Sequence, residues 1–138
     1  GLRAKANSYT YKNNDKAFVE VNAARTAHVA IFNITADDKV VMLYPNDHDK
    51  DNNLVTGKKL VYPDTTSRAE LVMHTLPNHS RDTEAFFVVA MDPSYNRTFM
   101  GIFTALEPVS FTVFFNRYSQ IADFCEDAII AYEVIDAK

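Results

Sequence analysis

Two stretches of apolar residues, 27–34 and 39–44, lie close together in the first third of the chain. The first stretch is apolar almost throughout, which is typical of a strand covered on both faces. The segment between them, Thr35-Ala36-Asp37-Asp38, has the polar composition of a turn. Pro45 follows the second stretch and ends it, because proline has no N–H to give to a ladder. The pattern predicts a β-hairpin in the interior of a sheet.

Shorter strands are predicted on both sides of this hairpin. Residues 17–21 alternate between apolar and polar or small side chains, and residues 60–62 form a brief apolar run before a proline. The polar stretch 45–59 indicates a long loop. Residues 69–76 and 85–91 are both rich in β-favouring side chains and are separated by a polar segment, which predicts a second hairpin.

The hydrophobic period changes after residue 92. Apolar residues then recur at steps of three and four, at Phe111, Phe114, Phe115, Tyr118, Ile121, Ala122 and Cys125. This spacing predicts a helix over about 110–125. The β-branched and aromatic content of 109–115 keeps a strand open as the alternative there. The apolar run 128–135 is short enough for a buried final strand.

Short strands at intervals of about ten residues, with turn residues between them, favour an antiparallel sandwich over a parallel α/β sheet. We therefore predict a mainly β protein, an antiparallel immunoglobulin-like β-sandwich of about seven or eight strands with one helix near the C-terminus. A chain of 138 residues needs only one core, and neither a linker nor a repeat divides it. Residues 1–138 are expected to form a single domain.

Net charge and cysteine content limit the kinds of partner and covalent cross-link that are expected. The net charge is −4 and no basic cluster is larger than Lys58-Lys59, so nucleic acid is not an expected partner. The single cysteine, Cys125, excludes an internal disulfide and is expected to be a small buried hydrophobe. Uncharged runs such as 98–106 are too short for a transmembrane segment. The chain begins with Gly1, which we interpret as a trimmed or cleaved precursor, so export stays open.

The order of these features resembles a known family. A strand reading Val-Ala-Ile-Phe-Asn-Ile, an acidic turn and then Leu-Tyr-Pro-Asn is similar to the bacterial domain-of-unknown-function family 4384, which carries a Leu-Phe-Pro-Asn type signature. The resemblance covers about residues 9–91. Tyr44 replaces the usual phenylalanine, and Asp38 stands where a glycine often ends the turn, a position that Asp tolerates.

The family resemblance implies a location and a role. It implies an exported binding module of the periplasm or cell envelope, found in lipoproteins and as an accessory to larger signalling proteins. It implies no established activity.

The Leu-Tyr-Pro-Asn segment has a structural and a functional interpretation. In the structural one, Leu43 and Tyr44 lie on opposite faces of the strand, Pro45 ends the ladder, and Asn46 turns the loop by bonding its own backbone. In the functional one, Tyr44 and Asn46, together with His48, line a groove beside the long loop and bind a ligand.

The same loop contains a candidate calcium site. Asp47, Asp49, Asp51 and Asn53 recur at every second position, a spacing that can direct several oxygens toward one Ca²⁺. Two features depart from an acidic calcium loop: Asn52 replaces the glycine of the sharp turn, and Lys58 stands where a glutamate would close the shell. A solvated acidic loop is therefore the preferred interpretation, so we expect no cofactor and keep calcium as the alternative.

The sequence contains no coherent catalytic motif, which gives little support for an enzyme. Ser80 lies beside His79 and Asp82, but adjacency in sequence is not triad geometry, and there is no Gly-x-Ser-x-Gly elbow. The four histidines lack the spacing of a zinc site. We expect a non-catalytic protein and keep a hydrolase without a recognisable motif as the alternative.

Two hypotheses about function follow. In the first, the domain is an adaptor of the cell envelope that binds a protein partner through a sheet edge or through the loops near 46–53. In the second, it is a module that binds calcium, a small molecule or a glycan. A bound metal or a deep aromatic-lined pocket would favour the second, and a shallow apolar surface the first.

Overall fold

The computed structural model describes residues 1–136, and these form a mainly β protein. Within this range, twelve strands and two α-helices follow one another along the chain. The strands are β1 (Arg3–Ala6), β2 (Thr10–Lys12), β3 (Lys16–Ala17), β4 (Val19–Asn22), β5 (Ala27–Ile34), β6 (Lys39–Tyr44), β7 (Asn53–Leu54), β8 (Leu60–Tyr62), β9 (Leu71–Val72), β10 (Arg81–Met91), β11 (Val109–Ser110) and β12 (Cys125–Ile135). The helices are α1 (Phe99–Ile102) and α2 (Phe111–Tyr118), and a 3₁₀ helix spans Ala122–Phe124.

The strands form one large and one small sheet and an additional strand pair. The large sheet has the order β11-β6-β5-β10-β12-β2, with β7 also pairing β5, and the small sheet has the order β1-β4-β8. β3 pairs with β9. Among the described strand pairs only β2 with β12 is parallel. The prediction of a mainly β sandwich is confirmed, although the strands exceed seven or eight because several contain only two residues.

The large sheet is buried on both faces. One face packs against the small sheet through an inter-sheet core that includes Val29, Ile31, Phe86 and Tyr132. The other face is covered by the helices and the segments around them through a helix-side core. The central members of the helix-side core are aromatic, namely Phe32, Phe87, Phe99, Phe103 and Phe114. Strands β5 and β10 therefore alternate between two cores, as continuous apolar runs do.

The predicted hairpin of residues 27–34 and 39–44 is confirmed with the same bounds, as β5 and β6. Its turn uses a left-handed residue, Asp38, whose φ is 62°. The Thr35 hydroxyl donates to the Asp37 carboxylate at 2.5 Å, and the Thr35 N–H donates to the Lys39 carbonyl at 2.9 Å. Short polar side chains thus hold the turn without a glycine.

The predicted second hairpin is wrong. β9 pairs with β3, in the register Lys16 to Val72 and Ala17 to Leu71. β10 pairs instead with β12 along its whole length and with β5 over seven residues, 85–91. Both edges of β10 are therefore occupied by longer apolar strands, which bury more surface than a return to residues 69–76 would.

The predicted helix and final strand are placed as follows. α2 begins where the Ser110 hydroxyl accepts from the Val113 N–H at 3.3 Å. It occupies only Phe111–Tyr118, so the prediction of a helix up to about residue 125 is wrong for the second half of that range, where a 3₁₀ helix spans Ala122–Phe124. β12 then begins at Cys125, three residues before the predicted strand. Cys125 is partly buried against the helix-side core, and burial, together with the Asp127 carboxylate, raises the pKa of its thiol to about 11.

No helix within residues 1–136 has the length and apolarity to cross a membrane.

A buried carboxylate fixes the turn that leads into β10. The side chain of Asp82 is buried, and it accepts from the Leu76 N–H at 2.6 Å and lies 2.6 Å from Nδ1 of His79. Burial alone would raise the pKa of Asp82, but the hydrogen bonds from His79 and Leu76 lower it below its usual range. Ser80 takes part through its backbone carbonyl, which accepts from the Asp136 N–H at 2.9 Å. These hydrogen bonds give the cluster of His79, Ser80 and Asp82 a structural role, which is to hold the turn before β10 in place.

Replacing Asp82 with Asn is expected to lower the free energy of unfolding by about 2 kcal/mol at neutral pH, because charge-assisted hydrogen bonds to a buried group are weakened. A carboxyl whose pKa is lowered by folding stabilises the fold above its unfolded pKa, and this contribution is lost as the pH falls through the folded-state pKa. Urea denaturation should therefore show a full difference between wild type and Asp82→Asn at pH 7 and a shrinking one below about pH 4. The exposed Asp47→Asn is the control, and a difference that stays constant down to pH 3 would contradict the assignment.

Candidate functional site

The candidate site begins with a β-bulge near the end of β6. Ile31 of β5 lies opposite Tyr44, whereas its neighbour Phe32 lies opposite Met42, so Leu43 is the extra residue. Without the bulge, Tyr44 would share the face of Met42 and point toward the helices. With it, Tyr44 joins the inter-sheet core, and Leu43 packs against that core as well. The expectation that Leu43 and Tyr44 lie on opposite faces is therefore wrong, because the bulge interrupts the alternation.

Tyr44 meets a second tyrosine from the small sheet. The ring centroids of Tyr44 and Tyr62 are 4.6 Å apart with the ring planes tilted by 34°. The two residues are only 6% and 2% exposed. Each is followed by a proline, and both Tyr–Pro peptide bonds are cis. The two aromatic rings thus form the floor where the large and small sheets meet.

Asn46 anchors the loop that follows and uses all of its side-chain hydrogen-bonding groups. Its amide donates to the Leu43 carbonyl at 2.9 Å and to the Tyr62 hydroxyl at 3.2 Å. Its oxygen accepts from the N–H groups of His48 at 2.8 Å and Asp49 at 2.9 Å. Because Asn46 is only 1% exposed, it holds the loop from inside the protein. This confirms the structural interpretation of Asn46 as the residue that turns the loop.

A groove with a volume of about 640 Å³ opens above the two tyrosines. One wall is the loop that includes Asp49 and Asp51, and the other includes Lys58 and Asp64. The buried phenols lie close to these carboxylates. Burial, then the charges of Asp51 and Asp49, raise the pKa of Tyr44, so its hydroxyl stays protonated at physiological pH. The groove therefore has a neutral aromatic floor, and its rim carries both carboxylates, including Asp49 and Asp51, and lysines, including Lys50.

Asp49 and Asp64 differ in how their carboxylates are satisfied. Oδ1 of Asp64 accepts from the backbone and hydroxyl groups of Thr66 and Ser67 at 2.7 to 3.1 Å, and these bonds lower the pKa of Asp64. Oδ2 of Asp49, by contrast, is buried and has no hydrogen-bond partner among the described residues. A buried carboxylate oxygen without a donor is costly, and native proteins retain few of them. The Tyr62 hydroxyl nevertheless interacts with the Asp49 carboxylate, and this interaction adds to the effect of burial in raising the pKa of Tyr62.

The structure brings together five of the residues singled out from the sequence. Tyr44, His48, Asp49, Asp51 and Asn53 all line the groove. Two others do not line it. The side chain of Asn46 is buried behind the groove, where it supports the loop, and Asp47 is exposed outside it.

The calcium hypothesis gains no support from this geometry. Among residues 1–136, no group of three or more histidine, cysteine, aspartate or glutamate side chains is arranged to hold a metal ion. Part of the reason is that Asn53 enters β7 and its pairing with β5, which draws it away from Asp47 at the other end of the loop. Calcium binding by Asp47, Asp49, Asp51 and Asn53 stays the untested alternative to a solvated acidic loop.

One protein family matches this chain. A family model described as "Domain of unknown function (DUF4384)" matches residues 10–83, more than half of the chain. The chain belongs to the DUF4384 family. The DUF4384 match contains the hairpin, the bulge, Asn46 and the whole lining of the groove. Neither the curated proteins nor the solved structures give a match to the chain.

Sequence reasoning missed the second half of the groove. Tyr62 and Asp64 both lie within the DUF4384 match and line the groove, but neither was singled out. One signal could have found Tyr62, because Tyr62-Pro63 repeats the Tyr44-Pro45 pair. The contact between the two pairs is long-range, and the repeat alone does not reveal it.

Replacing Asn46 with Ala is expected to lower the free energy of unfolding by about 2–4 kcal/mol, because four hydrogen bonds are removed and buried partners are left without them. Denaturant unfolding measures this change. Asn53→Ala is the matched control, since Asn53 is exposed, and its effect should stay within about 0.5 kcal/mol. Equal effects of the two substitutions would refute the anchoring role of Asn46.

Proposed function

We propose that this chain is a non-catalytic binding module of the bacterial cell envelope and that the groove above Tyr44 and Tyr62 holds a segment of a protein partner. The observation that carries the proposal is the buried Oδ2 of Asp49, which accepts no hydrogen bond of ordinary geometry from the described residues and has the Tyr62 hydroxyl as its neighbour. A ligand that brings a donor into the groove would supply the missing bond. Sites that lack a partner in the free protein are common where a ligand completes them.

The charges around Asp49 favour a cationic donor. Asp51 and Asp64 line the same groove, and the charges of all three carboxylates reach the Tyr44 hydroxyl. Three lysines also line the groove: Lys59 lies 3.5 Å from Glu20 and is thereby engaged, whereas Lys50 and Lys58 form no ion pair with a described residue. A lysine side chain of the partner, with three N–H donors and an aliphatic stem to cover the tyrosine floor, fits this arrangement.

The envelope location is part of the same proposal and is supported by the family resemblance. The DUF4384 match covers the hairpin and the Leu-Tyr-Pro-Asn segment that suggested an exported accessory domain. An adaptor of that kind would present the groove to other envelope proteins. Affinity capture from detergent-solubilised envelope, with wild type and Asp49→Ala side by side, tests this location, since a partner retained by the wild type alone would come from that compartment.

The binding test uses two variants of the same loop. Asp49→Ala removes the unpartnered oxygen in the groove, whereas Asp47→Ala removes an exposed carboxylate outside it. The probe is a capped Gly-Lys-Gly peptide, with capped Gly-norleucine-Gly as the uncharged control, and binding is followed by amide chemical shifts. The wild type and Asp47→Ala are expected to bind the lysine peptide alike, and Asp49→Ala about tenfold or more weakly, because a buried charged hydrogen bond is lost.

The melting temperature of Asp49→Ala provides an independent test. Because Asp49 Oδ2 is buried without a donor, Asp49→Ala is expected to leave the melting temperature unchanged or to raise it. Loss of binding in a variant of undiminished stability would separate function from folding. A large loss of stability would instead show that the carboxylate is satisfied in solution.

The same binding experiment also tests the alternative ligands, calcium and a glycan. Titration with Ca²⁺, and with a chelator as the reference, tests the acidic loop, and a chito-oligosaccharide tests a glycan. Lysine-peptide binding that equals norleucine-peptide binding would refute the proposed cationic donor. A response to Ca²⁺ that Asp49→Ala and Asp51→Ala both abolish would assign the loop to calcium instead.

A further inference from the structure

One edge of the small sheet borders the groove. β8 is the last strand in the order β1-β4-β8, and within residues 1–136 no strand pairs with its outer side. The groove lining includes all three residues of β8, which are Leu60, Val61 and Tyr62. Because successive side chains of a strand point to opposite faces, a groove that all three residues line runs along the edge of the strand. The backbone of β8 is therefore open to the groove.

The direction of the β8 backbone groups follows from the pairing of its neighbours. The Asn7 N–H donates to the Phe18 carbonyl at 3.0 Å, just beyond the pair of β1 with β4. Because hydrogen-bonded pairs alternate along an antiparallel ladder, the backbone groups of Glu20 also point toward β1. Val61 lies opposite Glu20 in the pair of β4 with β8, so its own backbone groups point away from β4. The N–H and the carbonyl of Val61 thus face the groove, and no backbone group of another segment within residues 1–136 bonds to them.

The length and the flanks of β8 limit which strands can pair with it. The strand has three residues, with Lys59 before it and Pro63 after it. Short edge strands, lysine and proline all discourage indiscriminate pairing between sheet edges. Val61 alone would exchange two backbone hydrogen bonds with an added strand, so the side chains of the groove must supply the rest of the selectivity.

An added strand would direct one side chain at Asp49. Opposite residues on neighbouring strands direct their side chains to the same face, and pairs without backbone hydrogen bonds bring those side chains closest together. Tyr62 belongs to the inter-sheet core, and its hydroxyl neighbours the Asp49 carboxylate. A lysine opposite Tyr62 would therefore lay its aliphatic stem along the ring and direct its ammonium group toward Asp49.

The two ends of β8 differ in charge. Beyond Tyr62, the groove lining includes Asp64, which lies on the same side of the groove. Before Leu60, the lining includes Lys58, which forms no ion pair with a described residue. An extended segment with a lysine at the Tyr62 end and an acidic residue at the Lys58 end complements both ends.

We propose that the partner segment binds in the groove as an added strand antiparallel to β8, with a lysine opposite Tyr62, two backbone hydrogen bonds to Val61 and an acidic residue toward Lys58. The small sheet would gain a fourth strand. The inference rests on the proposed function, because it takes the groove as the site of a partner segment and adds the binding mode and the sequence pattern. Backbone hydrogen bonds would fix the register, and the two charged positions the direction.

The test compares capped Lys-Thr-Val-Glu with capped Glu-Thr-Val-Lys, two peptides of the same composition and net charge, by amide chemical shifts of the protein. The first peptide should bind about fivefold or more tightly, because it alone places each charge beside an opposite one. Its threonine lies opposite Val61, so methylation of the threonine nitrogen should weaken binding by about fivefold or more. The valine N–H points away from β8, and methylation of that nitrogen should change binding by no more than about twofold.

Two variants of the protein test the same hydrogen bonds from the side of β8. Val61→Pro removes an outward N–H that β4 does not use, so the ladder of the small sheet is kept while the edge loses its donor. Val61→Thr keeps the N–H and a side chain of similar size, and is the matched control. The proline variant should bind capped Lys-Thr-Val-Glu about fivefold or more weakly, and the threonine variant within about twofold of the wild type.

Several results would overturn the added strand. Equal binding of the two methylated peptides would exclude it, even if Val61→Pro fails to fold, and equal binding of the two charge arrangements would exclude the antiparallel direction. Sedimentation of the peptide-free protein as a dimer that Val61→Pro converts to a monomer would show that a second copy of the chain occupies the edge.

Failure of the added strand can be distinguished from failure of the proposed function. A wild type that binds capped Gly-Lys-Gly in an Asp49-dependent manner, but is insensitive to threonine methylation of the longer peptide, would retain the groove function and overturn the added strand. A norleucine-Thr-Val-Glu peptide that binds as tightly as the lysine peptide, and stays sensitive to threonine methylation, would support the added strand and refute the lysine contact with Asp49.

Discussion

The bulge at Leu43 is the constraint on which the candidate site depends. Side chains on a strand alternate with a period of two, so a shift of one residue moves every following side chain to the other face. Before the bulge, Val40 and Met42 of β6 contribute to the helix-side core, and after it Tyr44 contributes to the inter-sheet core. One extra residue thus transfers the end of the strand from one core to the other.

The consequences of that transfer reach the groove. Tyr44 can contact Tyr62 only from the inter-sheet side, since Tyr62 belongs to the small sheet. The Tyr62 hydroxyl then accepts from Asn46, whose oxygen in turn accepts from the Asp49 N–H. Asp49 is therefore positioned by a chain of contacts that begins at the bulge. The Asp49 carboxylate thus lies at the end of the hydrogen-bonded network that Asn46 and Tyr62 begin.

The parts of this structure that the sequence predicts are those decided by neighbouring residues. The hairpin of β5 and β6 follows from two apolar runs and a polar turn, and the role of Asn46 follows from its local bonding chemistry. The pairing of β9 with β3 joins residues more than fifty positions apart, and periodicity carries no information about such a partner. The bulge escaped prediction for a similar reason, because it is specified by the demands of two cores and not by any residue type at Leu43. Tyr62 and Asp64 entered the site through the same long-range contacts.

The distribution of the two cores also bears on the extent of the folding unit. The DUF4384 match ends at residue 83, within β10, and so includes β5 and β6 but only the first three residues of the strand that pairs with β5. Val29 and Ile31 contribute to the inter-sheet core, whereas Ala30 and Phe32 contribute to the helix-side core, so β5 needs cover on both faces. Most of the cover on the helix side comes from beyond residue 83, from Phe87, Phe103 and Phe114. A segment limited to residues 10–83 would expose Phe32 and leave one edge of β5 largely unpaired, at a cost of several kcal/mol for the aromatic side chain alone. The matched segment therefore contains the groove but not the complete core that supports it, and the folding unit extends through β12.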